Sequence, residues 1–106
     1  MLKVHVERWD EGQDGPVSEA ELTSRLEQRG YAVSRYTYAP GTAFPKHTHG
    51  VDKIDAVVAG TFRVVLEGQE VLLGPGDTVL VPRGALHSAE VVGNESVVSL
   101  DAVKGE

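Results

Sequence analysis

The first residues of the chain alternate between apolar and polar side chains. Leu2, Val4 and Val6 are separated by charged or polar residues, and a period of two is typical of a strand with one buried face. His5 falls on the polar face of this segment, where we expect solvent to surround it. The pattern therefore predicts a short half-buried strand at the N-terminus.

A helical spacing follows over residues 19–29. Ser18 and Glu21 have the spacing of a capping box, in which each side chain accepts a hydrogen bond from a free amide of the first helical turn. Leu22 and Leu26 then fall on the same side of the predicted helix, and a glycine follows its last residue. We expect one short α-helix here, with its leucine face packed against the rest of the protein.

From residue 31 onward, short apolar runs alternate with glycine and proline turns, and this pattern predicts antiparallel strands. Many short strands with regular tight turns favour an all-β barrel or jelly roll over an open sheet. The predicted strands cover residues 31–38, 54–59, 61–66, 70–73, 78–81, 87–92 and 96–103.

Length, charge and composition limit the classes of protein that this chain can be. With 106 residues it is predicted to form one domain, with the strand and helix in residues 1–30 and the barrel in residues 31–103. A net charge of -6 with only ten scattered Lys and Arg residues argues against a nucleic-acid partner. No run is apolar enough to suggest a membrane span, and no secretory signal is visible, so we expect a cytoplasmic protein.

Two histidines stand in a segment framed by glycines. Gly41 is followed after five residues by His47, and then come His49, Lys53 and Gly60 at intervals of two, four and seven. On a strand, residues two apart point to the same face, so both imidazoles can reach one cation. Because the chain has no cysteine, a metal would have to be bound by imidazole, carboxylate or water.

A second segment supplies a third histidine. Gly76 is followed by Pro82, Gly84 and His87, and the proline and glycine predict a bend just before the histidine. The third imidazole would then arrive from a different strand, as the interior of a barrel requires. Three imidazole nitrogens from these two segments form a candidate site for one divalent transition metal.

On these two motifs the chain resembles the cupin superfamily. The resemblance implies a double-stranded β-helix, or jelly-roll barrel, and a metal bound by His47, His49 and His87, with Zn²⁺, Ni²⁺, Mn²⁺ and Fe²⁺ as the candidates. Two positions depart from the family pattern: Lys53 stands where a fourth, acidic ligand is usual, and Val91 stands where an asparagine is common. The resemblance also implies a homodimer, with residues 2–9 as a candidate for an exchanged strand.

Lys53 is the most informative departure. If the chain stays extended after His47, counting by two places Lys53, Asp55 and Val57 on the inward face. A lysine inside a barrel needs an anionic partner, and we expect Asp55 to be that partner. Asp52 is the alternative if the loop changes which residues of this segment face inward. An ammonium here would either bind the anionic end of a metal-bound ligand or weaken metal binding enough for the pocket to work without a metal. We favour the metal-containing alternative.

Two classes of function remain open at this point. As an enzyme, the chain would resemble small cupins that isomerise, epimerise, decarboxylate or oxygenate small polar molecules, with Lys53 and Asp55 as catalytic groups and Lys53 as the anchor for an anion. As a binding module, it would bind a small anionic or sugar-like ligand without converting it.

Overall fold

Two antiparallel sheets packed face to face make up most of the fold, as described by a computed structural model over residues 3–105. The five-stranded sheet has the order β1-β7-β4-β9-β2, and the four-stranded sheet has the order β3-β8-β5-β6. The elements are β1 (Val6–Glu7), α1 (Glu11–Asp14), α2 (Glu19–Gln28), β2 (Tyr31–Tyr38), β3 (Ala43–His47), β4 (Lys53–Ala59), β5 (Thr61–Leu66), β6 (Gln69–Leu73), β7 (Thr78–Val81), β8 (His87–Val92) and β9 (Val97–Lys104). This arrangement confirms the predicted all-β jelly roll.

Apolar side chains pack on both faces of the five-stranded sheet. Its inner face meets the four-stranded sheet in the main core, where burial of apolar area is the main source of stability. Its outer face packs against α2. The residues buried on this outer side are Leu22, Leu26, Ile54, Ala56, Leu100 and Ala102.

Helix α2 begins where the sequence predicts and ends one residue earlier, at Gln28. The Ser18 hydroxyl accepts a hydrogen bond from the Glu21 backbone N–H at 3.1 Å, which is the first half of the predicted capping box. Among residues 3–105 the Glu21 carboxylate accepts from Arg25 at 3.0 Å, and no hydrogen bond to it from the Ser18 backbone N–H is present. The salt bridge one turn along the helix competes successfully for that carboxylate.

Helix α1 was not predicted. Its four residues lie in a Gly- and Asp-rich segment whose composition is typical of a loop. The helical turn forms because the Asp10 carboxylate accepts a hydrogen bond from the Gly12 backbone N–H at 3.0 Å. The described residues 3–30 therefore contain two helices in place of the single one expected.

Most predicted strands have the right place and length. Strands β2, β5, β7 and β8 have the predicted bounds, β4 and β6 begin one residue earlier, and β9 begins and ends one residue later. Strand β3 was not among the predicted strands. The alternating N-terminal segment forms a shorter strand than predicted, because β1 contains only Val6–Glu7, and Leu2 lies outside the described residues.

Strand β1 lies at the edge of the five-stranded sheet and pairs with β7 of the same chain. Val6 is opposite Val79 and Glu7 is opposite Thr78. The exchange of this strand in a homodimer stays a prediction. Over residues 3–105, none of the helices has the length and apolar character needed to span a membrane.

Candidate metal centre

Three histidines from two separate segments of the sequence meet at one end of the space between the sheets. His47 ends β3 and His87 begins β8, and the two are direct partners across the antiparallel pair. His49 lies in the loop after β3, so the expectation that it sits on a strand was wrong, although the expected convergence occurs. One nitrogen of each ring lies within 4.8 Å of the other two. The bent chain after His47 therefore brings the His49 ring to the other two imidazoles, as an extended strand was expected to do.

Backbone carbonyl groups fix the orientation of two of the rings. Nδ1 of His47 lies 2.7 Å from the Pro45 carbonyl oxygen, and Nδ1 of His87 lies 3.0 Å from the Ala85 carbonyl oxygen. A carbonyl only accepts, so each Nδ1 must carry the hydrogen and donate it. Each Nε2 then has a free lone pair, which is the arrangement in which imidazole binds a metal.

His49 contributes a nitrogen without a partner. Its Nε2 is buried and makes no hydrogen bond within the part of the chain that the structure describes. Burial lowers the pKa of His49, and the nearby charge of Lys53 lowers it further; burial also lowers the pKa of His87. Both rings are therefore neutral at pH 7, which is the form that binds a metal. An orphaned buried nitrogen beside two oriented imidazoles fits a metal ion.

A cavity of about 210 Å³ opens onto the three imidazoles. Its volume suits a small molecule rather than a large cofactor, since pockets for larger ligands run to roughly 300–1,000 Å³. One wall is aromatic, with the Tyr38 and Phe44 rings in edge contact at 4.8 Å between centroids. The charged residues beside the histidines are Lys53, Asp55 and Asp101.

Lys53 points inward, as the strand periodicity predicts. Lys53 is 8% exposed and Asp55 is 7% exposed. The Lys53 ammonium lies 2.9 Å from a carboxylate oxygen of Asp101 and 3.7 Å from one of Asp55. The alternative partner, Asp52, faces elsewhere and accepts a hydrogen bond from the Arg83 backbone N–H at 2.8 Å. Asp55 is thus a partner of Lys53, but it is not the nearer one.

Asp101 is the site residue that sequence reasoning missed. It lies on β9, directly opposite Asp55 of β4, so both carboxyl groups face the cavity. Alternation along β9 carries the signal that could have found it, because counting by two from the buried Val97 reaches Ser99 and then Asp101. Two polar residues on an inward phase indicate a functional cavity rather than a closed core.

The two opposed carboxyl groups cannot both ionise easily, because like charges directly across a strand pair repel each other. Burial, reinforced by a hydrogen bond with Asp101, raises the pKa of Asp55 to about 8, against the opposing charge of Lys53. Burial also acts to raise the pKa of Asp101, but hydrogen bonds with Asp55 and Lys53 outweigh it and lower that pKa. At neutral pH, Asp55 is therefore neutral and Asp101 is the anion.

The Lys53 ammonium is charged and paired within the protein. Burial alone would lower the pKa of Lys53, but the neighbouring carboxyl groups of Asp55 and Asp101 raise it, so the ammonium is charged and already paired. A paired ammonium is less available to bind an anionic ligand than a free one. The role of Lys53 as an anchor for an anion stays a prediction.

Comparison with known proteins identifies the fold. Residues 34–103, about two thirds of the chain, match the family model of the cupin domain. The chain belongs to the cupin family. A cupin 2 domain-containing protein from Halorhodospira halophila superposes with a TM-score of 0.74 at 21% identity, covering 100% of this chain and 80% of that one, and so shares the fold.

Two other proteins have higher sequence identity to this cupin than the Halorhodospira halophila protein has. KdgF from Halomonas sp. is 28% identical with a TM-score of 0.63, covering 73% of this chain and 71% of KdgF. A segment of the mannose-1-phosphate guanylyltransferase ManC from Salmonella typhimurium is 36% identical over 76 residues, which cover 70% of this chain. The match covers only 15% of ManC, so this cupin corresponds to a small part of that enzyme.

The two departures from the family pattern have different structural settings in this cupin. Val91 is 5% exposed and packs in the main core, where an amide would need hydrogen-bond partners. Lys53 faces the cavity and the histidines. Of the two departures, Lys53 is therefore the one that lies at the candidate site.

The raised pKa of Asp55 predicts that the metal-free protein loses stability between pH 7 and pH 9. The folded state keeps a proton on Asp55 that the unfolded chain has already lost, so stability falls as pH rises toward about 8 and levels off above it. For one group with this pKa the loss over that window is about 1–2 kcal/mol in the free energy of unfolding. Urea unfolding with a chelator present measures it.

The shifted pKa values of Asp101 and Lys53 do not act in this window, and the lowered pKa values of His49 and His87 raise stability with pH only up to about their unfolded pKa of 6.5. The lowered pKa of Asp101 stabilises the folded state above the unfolded pKa of this residue, and that stabilisation is lost only in acid. The raised pKa of Lys53 stabilises the folded state until the pH rises above the unfolded pKa of the lysine. The Asp55→Asn protein should show no comparable fall. The Asp52→Asn protein, changed at an exposed carboxylate, should keep it; equal pH dependence in all three proteins would contradict the assignment.

Proposed function

We propose that this cupin binds one divalent transition metal through His47, His49 and His87, and uses it to bind and convert a small anionic ligand. The observation that carries the proposal is the set of three clustered imidazoles, two oriented by carbonyl groups and the third with a buried unpaired nitrogen. Imidazole suits Zn²⁺, Ni²⁺ and Fe²⁺, and Mn²⁺ is a weaker candidate.

An anionic ligand follows from the charges around the site. Three neutral imidazoles leave both positive charges of the metal uncompensated, whereas an acidic fourth ligand would cancel one. Lys53 and Asp101 cancel each other, and Asp55 is neutral at pH 7. A carboxylate or phosphate group therefore suits the metal-loaded cavity better than a neutral one does.

The similarity to ManC makes sugar phosphates reasonable candidates beside simple carboxylates. That enzyme is named for mannose 1-phosphate, which is both anionic and sugar-like. Because the match covers a small part of ManC, the nucleotidyl-transfer activity in its name is not carried over to this cupin.

The carboxyl pair gives the site a means of moving protons. A metal bound here would supply Lewis-acid polarisation of a ligand oxygen. In this proposal Asp101, as the anion of the pair, accepts a proton from a bound ligand, and Asp55, with a pKa of about 8, donates one. Lys53 maintains these charge states. The pair favours proton-transfer reactions, such as isomerisation, epimerisation or elimination, over oxygenation.

A metal-free binding module is the second candidate function. The observation that favours it is the ammonium of Lys53 facing the histidines, because a positive charge near a site weakens its affinity for a cation. The histidines and the charged residues would then bind a small ligand directly.

Elemental analysis of the untagged protein tests the proposal. We expect close to one transition metal per chain, either as purified or after refilling with Zn²⁺, Ni²⁺, Mn²⁺ or Fe²⁺. Calorimetry should then show that the loaded protein binds pyruvate or mannose 1-phosphate more tightly than it binds neutral mannose, and NMR on the mixtures would follow conversion of each compound.

Each result separates the candidates. A protein that takes up none of the four metals contradicts the metal-dependent function, and ligand binding by that protein would favour the metal-free module. Metal-loaded protein that prefers mannose to both anions would contradict the charge argument.

A further inference from the structure

We propose that Asp101 supplies, from the neighbouring strand, the negative charge that position 53 lacks, and that its ion pair with Lys53 lets the three-histidine site bind a cation. Lys53 begins β4, and Asp101 lies on the adjacent strand β9. This inference rests on the proposed metal site and assigns Asp101 the role of a positioning residue within it.

The ion pair is short and largely removed from water. The ammonium and carboxylate lie 2.9 Å apart, with 10% of the Lys53 side chain and 27% of the Asp101 side chain exposed. Charges in such a setting are screened much less than surface charges. Both side chains line the same cavity as the three imidazoles, so an unbalanced charge on either would act on a metal there.

The charges of both residues reach the histidines. Lys53 and Asp101 line the same cavity as His49 and His87, so the ammonium repels a cation bound to these imidazoles and the carboxylate attracts it. Asp101 thus offsets, at both rings, the effect that the lysine would otherwise have.

Asp55 does not take over this compensation. It lies opposite Asp101 and 3.7 Å from the Lys53 ammonium, but it is buried where ionisation is costly. Of the two carboxyl groups, the more exposed Asp101 is the nearer to the ammonium. Compensation of the lysine charge therefore depends on Asp101.

Zn²⁺ affinity in a double-mutant cycle tests the inference. Competition with a chromophoric chelator at pH 7 and fixed low salt would compare the natural protein with Asp101→Asn, Lys53→Met and the double variant. We expect Asp101→Asn to weaken Zn²⁺ binding by about tenfold or more, a typical effect for a residue just outside the ligands. Lys53→Met should tighten binding by at least about threefold, because it removes the repelling charge.

The double variant carries the decisive comparison. With neither charge present, its affinity should return to within about threefold of the natural protein, so the two substitutions are far from additive. The Asp52→Asn protein, changed at an exposed carboxylate that faces away from Lys53, should bind Zn²⁺ as the natural protein does.

The contrary outcomes are distinct. Failure of the natural protein to bind Zn²⁺ would remove the proposed metal site itself. If the natural protein and Asp101→Asn bind Zn²⁺ equally, the metal site stands and the inference falls. A double variant as weak as Asp101→Asn would mean that Asp101 acts on the metal without Lys53. If Asp101→Asn does not fold, weaker binding by Lys53→Met alone still overturns the compensation.

Discussion

Replacing His87 by alanine should abolish metal binding by the protein. His87 is 3% exposed and supplies one of the three clustered nitrogens, so its loss leaves two imidazoles. Changes just outside the ligand set already cost about 10–100-fold in affinity, and loss of a ligand should cost more. Elemental analysis after gel filtration should find close to one metal per chain in the natural protein and close to none in His87→Ala.

His5 provides the matched control for this experiment. It is exposed and lies outside the histidine cluster, so His5→Ala should keep the full metal content. Circular dichroism of both metal-free variants would establish that they retain the fold. Equal metal content in His87→Ala and the natural protein would contradict the proposed site.

Replacing Gly76 by alanine should destabilise the protein by about 2–5 kcal/mol, the sum of a backbone cost and a packing cost. Gly76 has φ 89°, a conformation that side chains disfavour by roughly 1–2 kcal/mol. An added Cβ would also lie 2.2 Å from the Cβ of Trp9, and relieving such a clash typically costs a further 1–3 kcal/mol. Urea unfolding measures the change in the free energy of unfolding.

Gly84 separates the two costs. Its φ is 77°, but a Cβ built there meets no atom within 4 Å, so Gly84→Ala should lose only the backbone part, about 1–2 kcal/mol. Equal destabilisation by the two substitutions would show that Trp9 moves aside at little cost and that the close approach to Gly76 is not important.

The sequence predicts the position of the histidine cluster because its signals are local. Residue spacing and the turn residues around His47 and His87 specify where the chain reverses, and a jelly roll brings those reversals to one end. Strand periodicity likewise predicts that Lys53 and Asp55 face inward, since alternation of side chains needs no knowledge of the partner strand.

What the sequence does not predict depends on pairing between distant segments. Asp101 becomes part of the site only because β9 lies beside β4, and no local pattern specifies that neighbour. The loop position of His49 also depends on how β3 ends against β8. Helix α1 depends on a single side-chain cap, from Asp10, in a segment of weak helix formers.

The alternation of β4 and β9 has a consequence for the evolution of this protein. Asp55 and Asp101 face the cavity, while their chain neighbours Ile54 and Leu100 lie beneath α2. A change of side-chain volume under the helix would shift the backbone that carries the carboxyl pair, because packed interiors transmit strain. We therefore expect epistasis between the helix-facing layer and the cavity, so that tolerated substitutions at one depend on the residues present at the other.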